Sequence, residues 1–267
     1  MKRLLVANWK MNPDTPREAR TLIAATRMVA RSLRRTDIVL CPPAVFANLV
    51  TPARRLALGA QDISTELRGA PARPNGRSGG YTGSISAPMM KYSGATYTII
   101  GHSERRMTGE TDEIINKKIK IALGQNLRVI LCVGELARDP RGEYLKHLRD
   151  QLEKAIHGLP KRAAEGLIIA YEPVWAITAT AGQVGGGTDR ADTPADFLEQ
   201  AIFIRKVLSH WCGRTAALEL PILYGGSVNP KNAASFITDG SANGLLVGHE
   251  SLRVDHWREI MRLVDRC

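Results

Sequence analysis

Eight times along its 267 residues, this chain follows a short apolar, β-branched run with a longer amphipathic one. The short runs are Leu4–Asn8, Asp37–Cys41, Ala57–Ala60, Thr96–Ile100, Arg128–Val133, Gly166–Tyr171, Leu220–Tyr224 and Gly244–Val247. Their length and continuous hydrophobicity read as strands buried on both faces. Helical signals fill the gaps. Thr15-Pro16-Arg17-Glu18 supplies a cap, a proline at the first helical position and a glutamate three residues on. Leu22, Ile23, Thr26, Val29 and Leu33 then recur at helical spacing. Further helices are expected at Phe46–Arg55, from Ser86 (short), Thr111–Gly124, Glu143–His157, Thr193–Trp211, Asn229–Thr238 and Asp255–Val264. Strands joined through helical crossovers must be parallel. Eight such units in roughly 250 residues predict an α/β fold of the (β/α)8-barrel (TIM barrel) type, a single domain with no linker-like break. The alternative is an open, doubly wound sheet, which usually carries a G-x-G-x-x-G turn after its first strand. Here Trp9-Lys10-Met11-Asn12 stands in that place.

Two stretches interrupt the pattern. Gln61–Thr82 carries Gly69, Pro71, Pro74, Gly76, Gly79 and Gly80, and Thr178–Asp192 carries Gly182, Gly185, Gly186 and Gly187 among small residues. Both read as extended loops, near 61–82 and 176–192, and loops of that length usually carry function or are disordered.

Charge, cysteines and hydropathy exclude several classes. With 37 Lys and Arg against 26 Asp and Glu, the net charge is +11. Such a balance fits an anionic substrate, nucleic acid or a solvated arginine-rich surface. The arginines are scattered, and aromatics are only 5%, so no aromatic-interleaved box points to nucleic acid. Cys41, Cys132, Cys212 and Cys267 form no C-x-x-C pair, which argues against a zinc site or redox dithiol and for reduced thiols in a cytoplasmic protein. The apolar runs break within about 8 residues where a membrane helix needs roughly 20. Met1–Ala7 has a faint signal-peptide character, but Asn8 and Lys10 end it and no cleavage site follows, so the chain reads as mature and soluble.

In a parallel barrel the loops leaving the strand C-termini converge on one face, which holds the active site. The polar residues at those ends are Asn8 and Lys10; Gly101-His102-Ser103-Glu104; Glu172; Gly225-Gly226-Ser227; and Gly248-His249. Singly, each has a plain reading as a solvated lysine, a satisfied histidine, a salt-bridge glutamate or a turn. Together they supply a base, a hydrogen-bond donor, a fixed cation and amide-rich turns of the kind that hold phosphate.

Six ordered segments carry a resemblance that spans the chain: Ala7–Asn12, Ile99–Arg106, Leu131–Glu135, Ala170–Ile177, Tyr224–Val228 and Leu246–Gly248. The sequence resembles the triosephosphate isomerase family. The resemblance implies interconversion of dihydroxyacetone phosphate and D-glyceraldehyde 3-phosphate in glycolysis and gluconeogenesis, without cofactor or metal. It implies Glu172 as the proton-shuttling base, His102 as electrophile, and Asn8 and Lys10 as substrate ligands with Lys10 supporting the enediolate. Ser103 and Glu104 would support the His102 and Lys10 arrangement. Ser227, Gly248 and the His249 backbone would hold phosphate. A homodimer with Thr82 at its interface is implied as well, with neither nucleic acid nor membrane as a partner.

The chain departs from the family at three places. After Ala176-Ile177 the lid tip differs, leaving Gly182 or Thr178 as its phosphate-gripping residue, and Val184–Arg190 is additional. Ala70–Gly80 lengthens the third loop, and His249 stands where many relatives have glycine. An isomerase of a related small sugar phosphate, or a catalytically silent anion-binding barrel, are the alternatives these departures leave.

Overall fold

A computed structural model describes residues 2–65, 81–139, 141–176 and 192–267. The calls on Thr178, Gly182, Val184–Arg190 and Ala70–Gly80 lie outside them. Strands β1 (Arg3–Asn8), β2 (Thr36–Cys41), β3 (Leu56–Ala60), β4 (Ala95–Ile100), β5 (Arg128–Val133), β6 (Leu167–Tyr171), β7 (Ile222–Tyr224) and β8 (Gly244–Val247) pair in parallel in sequence order, and β8 closes on β1. Around them run α1 (Pro16–Ala30), α2 (Ala87–Tyr92), α3 (Ser103–Met107), α4 (Asp112–Gly124), α5 (Glu143–Ile156), α6 (Pro194–Cys212), α7 (Arg214–Glu219), α8 (Ala233–Thr238) and α9 (Val254–Arg266). The expected (β/α)8 barrel is the observed fold.

The local chemistry explains the boundaries. Thr15 and Thr193 each form a reciprocal cap, with Glu18 and Asp196 respectively, followed by proline at the first helical turn. The helix expected at Phe46–Arg55 is instead a 3₁₀ turn over Ala44–Leu49. Pro52 disfavours a helical Thr51, and Ala53 already bridges to Leu56. Strand β7 starts later than expected because Pro221 has no N–H to give a ladder.

Two apolar layers result from the period-2 alternation of the strands. Leu4, Val6, Val39, Ile99, Ile130, Cys132, Ile168, Ala170, Leu223 and Leu246 fill the barrel interior. Leu5, Ala7, Leu131, Leu167, Ile169 and Leu245 face the helices. The inward series Leu4-Val6 continues to Asn8, Ile168-Ala170 continues to Glu172, and Leu246 continues to Gly248. The alternation that packs the core therefore delivers these residues to the rim.

Candidate active site

Glu172 follows the last residue of β6 and is 2% exposed. Its N–H donates to the Val133 carbonyl at 2.8 Å. One carboxylate oxygen accepts the Ser103 N–H at 2.9 Å, and the other lies 3.3 Å from His102 Nε2. His102 is aimed by the turn that ends β4, where Gly101 sits at φ +72°, a conformation that glycine adopts without strain. The imidazole caps α3: its Nδ1 accepts the Glu104 N–H at 3.2 Å. An accepting Nδ1 carries no proton, so the ring's hydrogen sits on Nε2, pointing at Glu172.

Lys10 reaches the same place from β1. Its Nζ lies 2.6 Å from Glu104 Oε1, and its N–H donates to Asn8 Oδ1 at 3.1 Å. The residue holds φ +52°, which costs a non-glycine residue on the order of 1–3 kcal/mol and persists only where neighbours enforce it. Gln61 does so, donating from Nε2 to the carbonyls of Lys10 (2.7 Å) and Cys41 (2.9 Å).

Asn8, Lys10, His102, Glu172, Ser227, Gly248 and His249 line one cavity of about 390 Å³. Ser103 and Glu104 stand behind it, the first on Glu172 and the second on Lys10 and His102. Ser227 donates its hydroxyl to the Ala176 carbonyl at 3.0 Å, tying the turn after β7 to the segment after β6. Past β8, His249 is exposed and opens a short 3₁₀ turn, His249–Leu252. Thr82 is exposed and outside the cavity.

Several contributors were not assigned a role from sequence. Cys132, read there as a core thiol, hydrogen-bonds Glu172; burial, and then the carboxylate beside it, push the thiol well above its ordinary value, so it stays protonated. Glu135, 1% exposed, accepts from Tyr171 Oη (2.7 Å), Trp175 Nε1 (2.8 Å) and Arg138 Nε (3.2 Å). The Arg138 guanidinium lies 4.8 Å from the Trp175 ring centroid. This brace fixes the chain just after Glu172. Gln61, Cys132 and Glu135 act through contacts across the fold; Cys132 and Glu135 sat in one quoted motif, Leu131–Glu135, but without a role.

A closed parallel barrel whose strand ends gather a buried carboxylate, an imidazole donor and an ammonium into one small cavity is the architecture of a proton-transferring barrel enzyme. The triosephosphate isomerase family profile matches residues 3–264. The triosephosphate isomerase of Moorella thermoacetica is 40% identical over 258 residues, covering 94% of this chain and 95% of that protein. Those of Thermus thermophilus and Aquifex aeolicus are 39% and 38% identical over 268 residues, each covering 98% of this chain and 99% of the relative. The chain belongs to the triosephosphate isomerase family.

Proposed function

We propose that this chain interconverts dihydroxyacetone phosphate and D-glyceraldehyde 3-phosphate by proton transfer through an enediolate. The observation that carries the mechanism is the convergence of Glu172, His102 and Lys10 on one cavity, with the His102 Nε2 hydrogen aimed inward. The Glu172 carboxylate takes a proton from the hydroxymethyl carbon of dihydroxyacetone phosphate, and the C–H electron pair moves toward the carbonyl oxygen. The Nε2–H of His102 and the Lys10 ammonium stabilise that oxygen as charge develops. A proton passes between the two oxygens, and Glu172 returns its own to the neighbouring carbon. The net reaction moves hydrogen within one molecule, so it calls for no external oxidant or reductant and no cofactor.

Asn8 orients Lys10, and Ser227 with the Gly248–His249 backbone holds the phosphate. Glu104 and Ser103 keep the lysine and the base in place. A coupled assay with glyceraldehyde 3-phosphate tests the reading. Fast turnover is expected; slow turnover with preference for another sugar phosphate, or binding without turnover, would select the alternatives. His102→Ala is expected to lower kcat by about 10²-fold, the effect of losing one preorganised donor. An unchanged kcat would remove His102 from the chemistry.

We further propose that the chain, as one barrel domain, works as a homodimer in the cytoplasm. Met11 (90% exposed), Val45 (81%) and Tyr81 (53%) are large apolar residues left exposed on the segments that follow β1, β2 and β3, and Tyr81 adjoins Thr82 in the chain. Large apolar groups exposed on the connections of three adjacent strands support an interface with a second copy of the chain. Light scattering should give twice the chain mass; a fully active monomer would refute the interface. The cytoplasmic placement is supported by four unpaired cysteines. Among the described residues no helix is long and apolar enough to cross a membrane.

A further inference from the structure

We infer that Gln151 is a positioning residue for the proton transfer, clamping the strand end on which Glu172 rests; the inference rests on the reading of Glu172 as the base. Gln151 lies on α5 and is 4% exposed, among Leu148, Leu152 and Ala155 of the same helix, all fully buried. Placing an amide in such a layer is costly unless its hydrogen-bonding groups are satisfied. Here each is engaged. Its Oε1 accepts the Gly134 N–H at 2.9 Å, and its Nε2 donates to the Gly134 carbonyl at 3.2 Å. The other Nε2 hydrogen meets His147 Nε2 at 2.9 Å, so that nitrogen is the acceptor.

Gly134 follows β5, where the ladder ends and its own N–H and carbonyl pass to this side chain. It also touches the base directly: a Cβ at Gly134 would stand 1.8 Å from the Glu172 carbonyl oxygen. On either side, Val133 accepts the Glu172 N–H at 2.8 Å and Glu135 accepts the Val174 N–H at 3.1 Å. Three consecutive residues thus carry the backbone of Glu172 and its successors, and Gln151 grips the middle one from both faces. A displacement of Gly134 passes straight to the carboxylate's anchor, whereas the turns assigned to phosphate follow β7 and β8 and do not touch Gln151.

The test separates kcat from KM. Gln151→Leu removes the clamp with little change of volume. Misplacing a reacting group by a fraction of an ångström predicts a fall of about tenfold in kcat with KM changed by less than about twofold. Rates are normalised to folded protein by circular dichroism. Gln151→Glu supplies the second measurement, and decides alone where the leucine variant does not fold. Its carboxylate accepts from the Gly134 N–H but opposes the Gly134 carbonyl, and protonation restores the missing donor. The groups facing that position are His147 on the same helix, Glu172 after β6 and Arg106 on α3. Burial favours the neutral acid, so kcat relative to the native enzyme is expected to rise as pH falls from about 8 to about 6. Taking the ratio cancels the titration of Glu172 itself. A normal kcat in the leucine variant, or a flat ratio in the glutamate variant, would overturn the inference. A native chain that does not turn over triose phosphates would instead overturn the proposed function.

Discussion

Glu172→Gln is expected to cut kcat by about 10²–10⁴-fold, the range a positioned general base contributes, with KM within a few-fold of native. Glutamine has the shape of glutamate, so its side-chain oxygen still accepts the Ser103 N–H that holds Glu172 at 2.9 Å. What disappears is a group able to bind the abstracted proton. That oxygen on Ser103 leaves the amide nitrogen facing His102 Nε2, where the native carboxylate presents its second oxygen at 3.3 Å; the imidazole is still held from its other nitrogen, which accepts the Glu104 N–H. Binding should survive because Lys10, Ser227 and Gly248 are untouched. Steady-state rates in both directions, with substrate affinity measured separately, check this. A kcat within about tenfold of native would remove Glu172 from the chemical step.

The barrel was legible in sequence because its strands obey one rule, a short apolar run after every helix, and because Thr15-Pro16 and Thr193-Pro194 announce helix starts locally. What escaped was decided elsewhere in the fold. Lys161–Gly166 and Arg214–Glu219 are helical stretches of six residues each, too short to show a period. Phe46–Arg55 shows apolar spacing, but Pro52 and the Ala53–Leu56 bridge override it. The site divides in the same way. Asn8, His102, Glu172 and Gly248 lie at strand ends, where chain position predicts spatial position. Gln61, Cys132 and Gln151 meet their partners 51, 40 and 17 positions away, and no local pattern marks a side chain whose partner is a distant backbone or carboxylate.

A second consequence of burial concerns stability. Asp192 precedes the α6 cap, and its side chain has no exposed surface. Burial pushes its carboxyl from 3.8 to about 7; Arg138, 3.7 Å away, opposes the rise, while Asp196 and Glu135 add to it. The direction of linkage follows. Between pH 3.8 and about 7 the folded chain keeps a proton that the unfolded chain has released, so stability is highest at the acid end and falls as pH rises through that window. At about 1.4 kcal/mol per pH unit, the full loss above the window is on the order of 4 kcal/mol. Asp192→Asn mimics the neutral acid at every pH, and Arg138 keeps Glu135 and Asp196 as partners. At fixed protein concentration the variant's thermal midpoint should therefore exceed the native one by several degrees near pH 8 and match it near pH 4. Equal shifts at the two pH values would show that the ionised carboxyl is not what destabilises the native chain, and that Arg138 already compensates its burial.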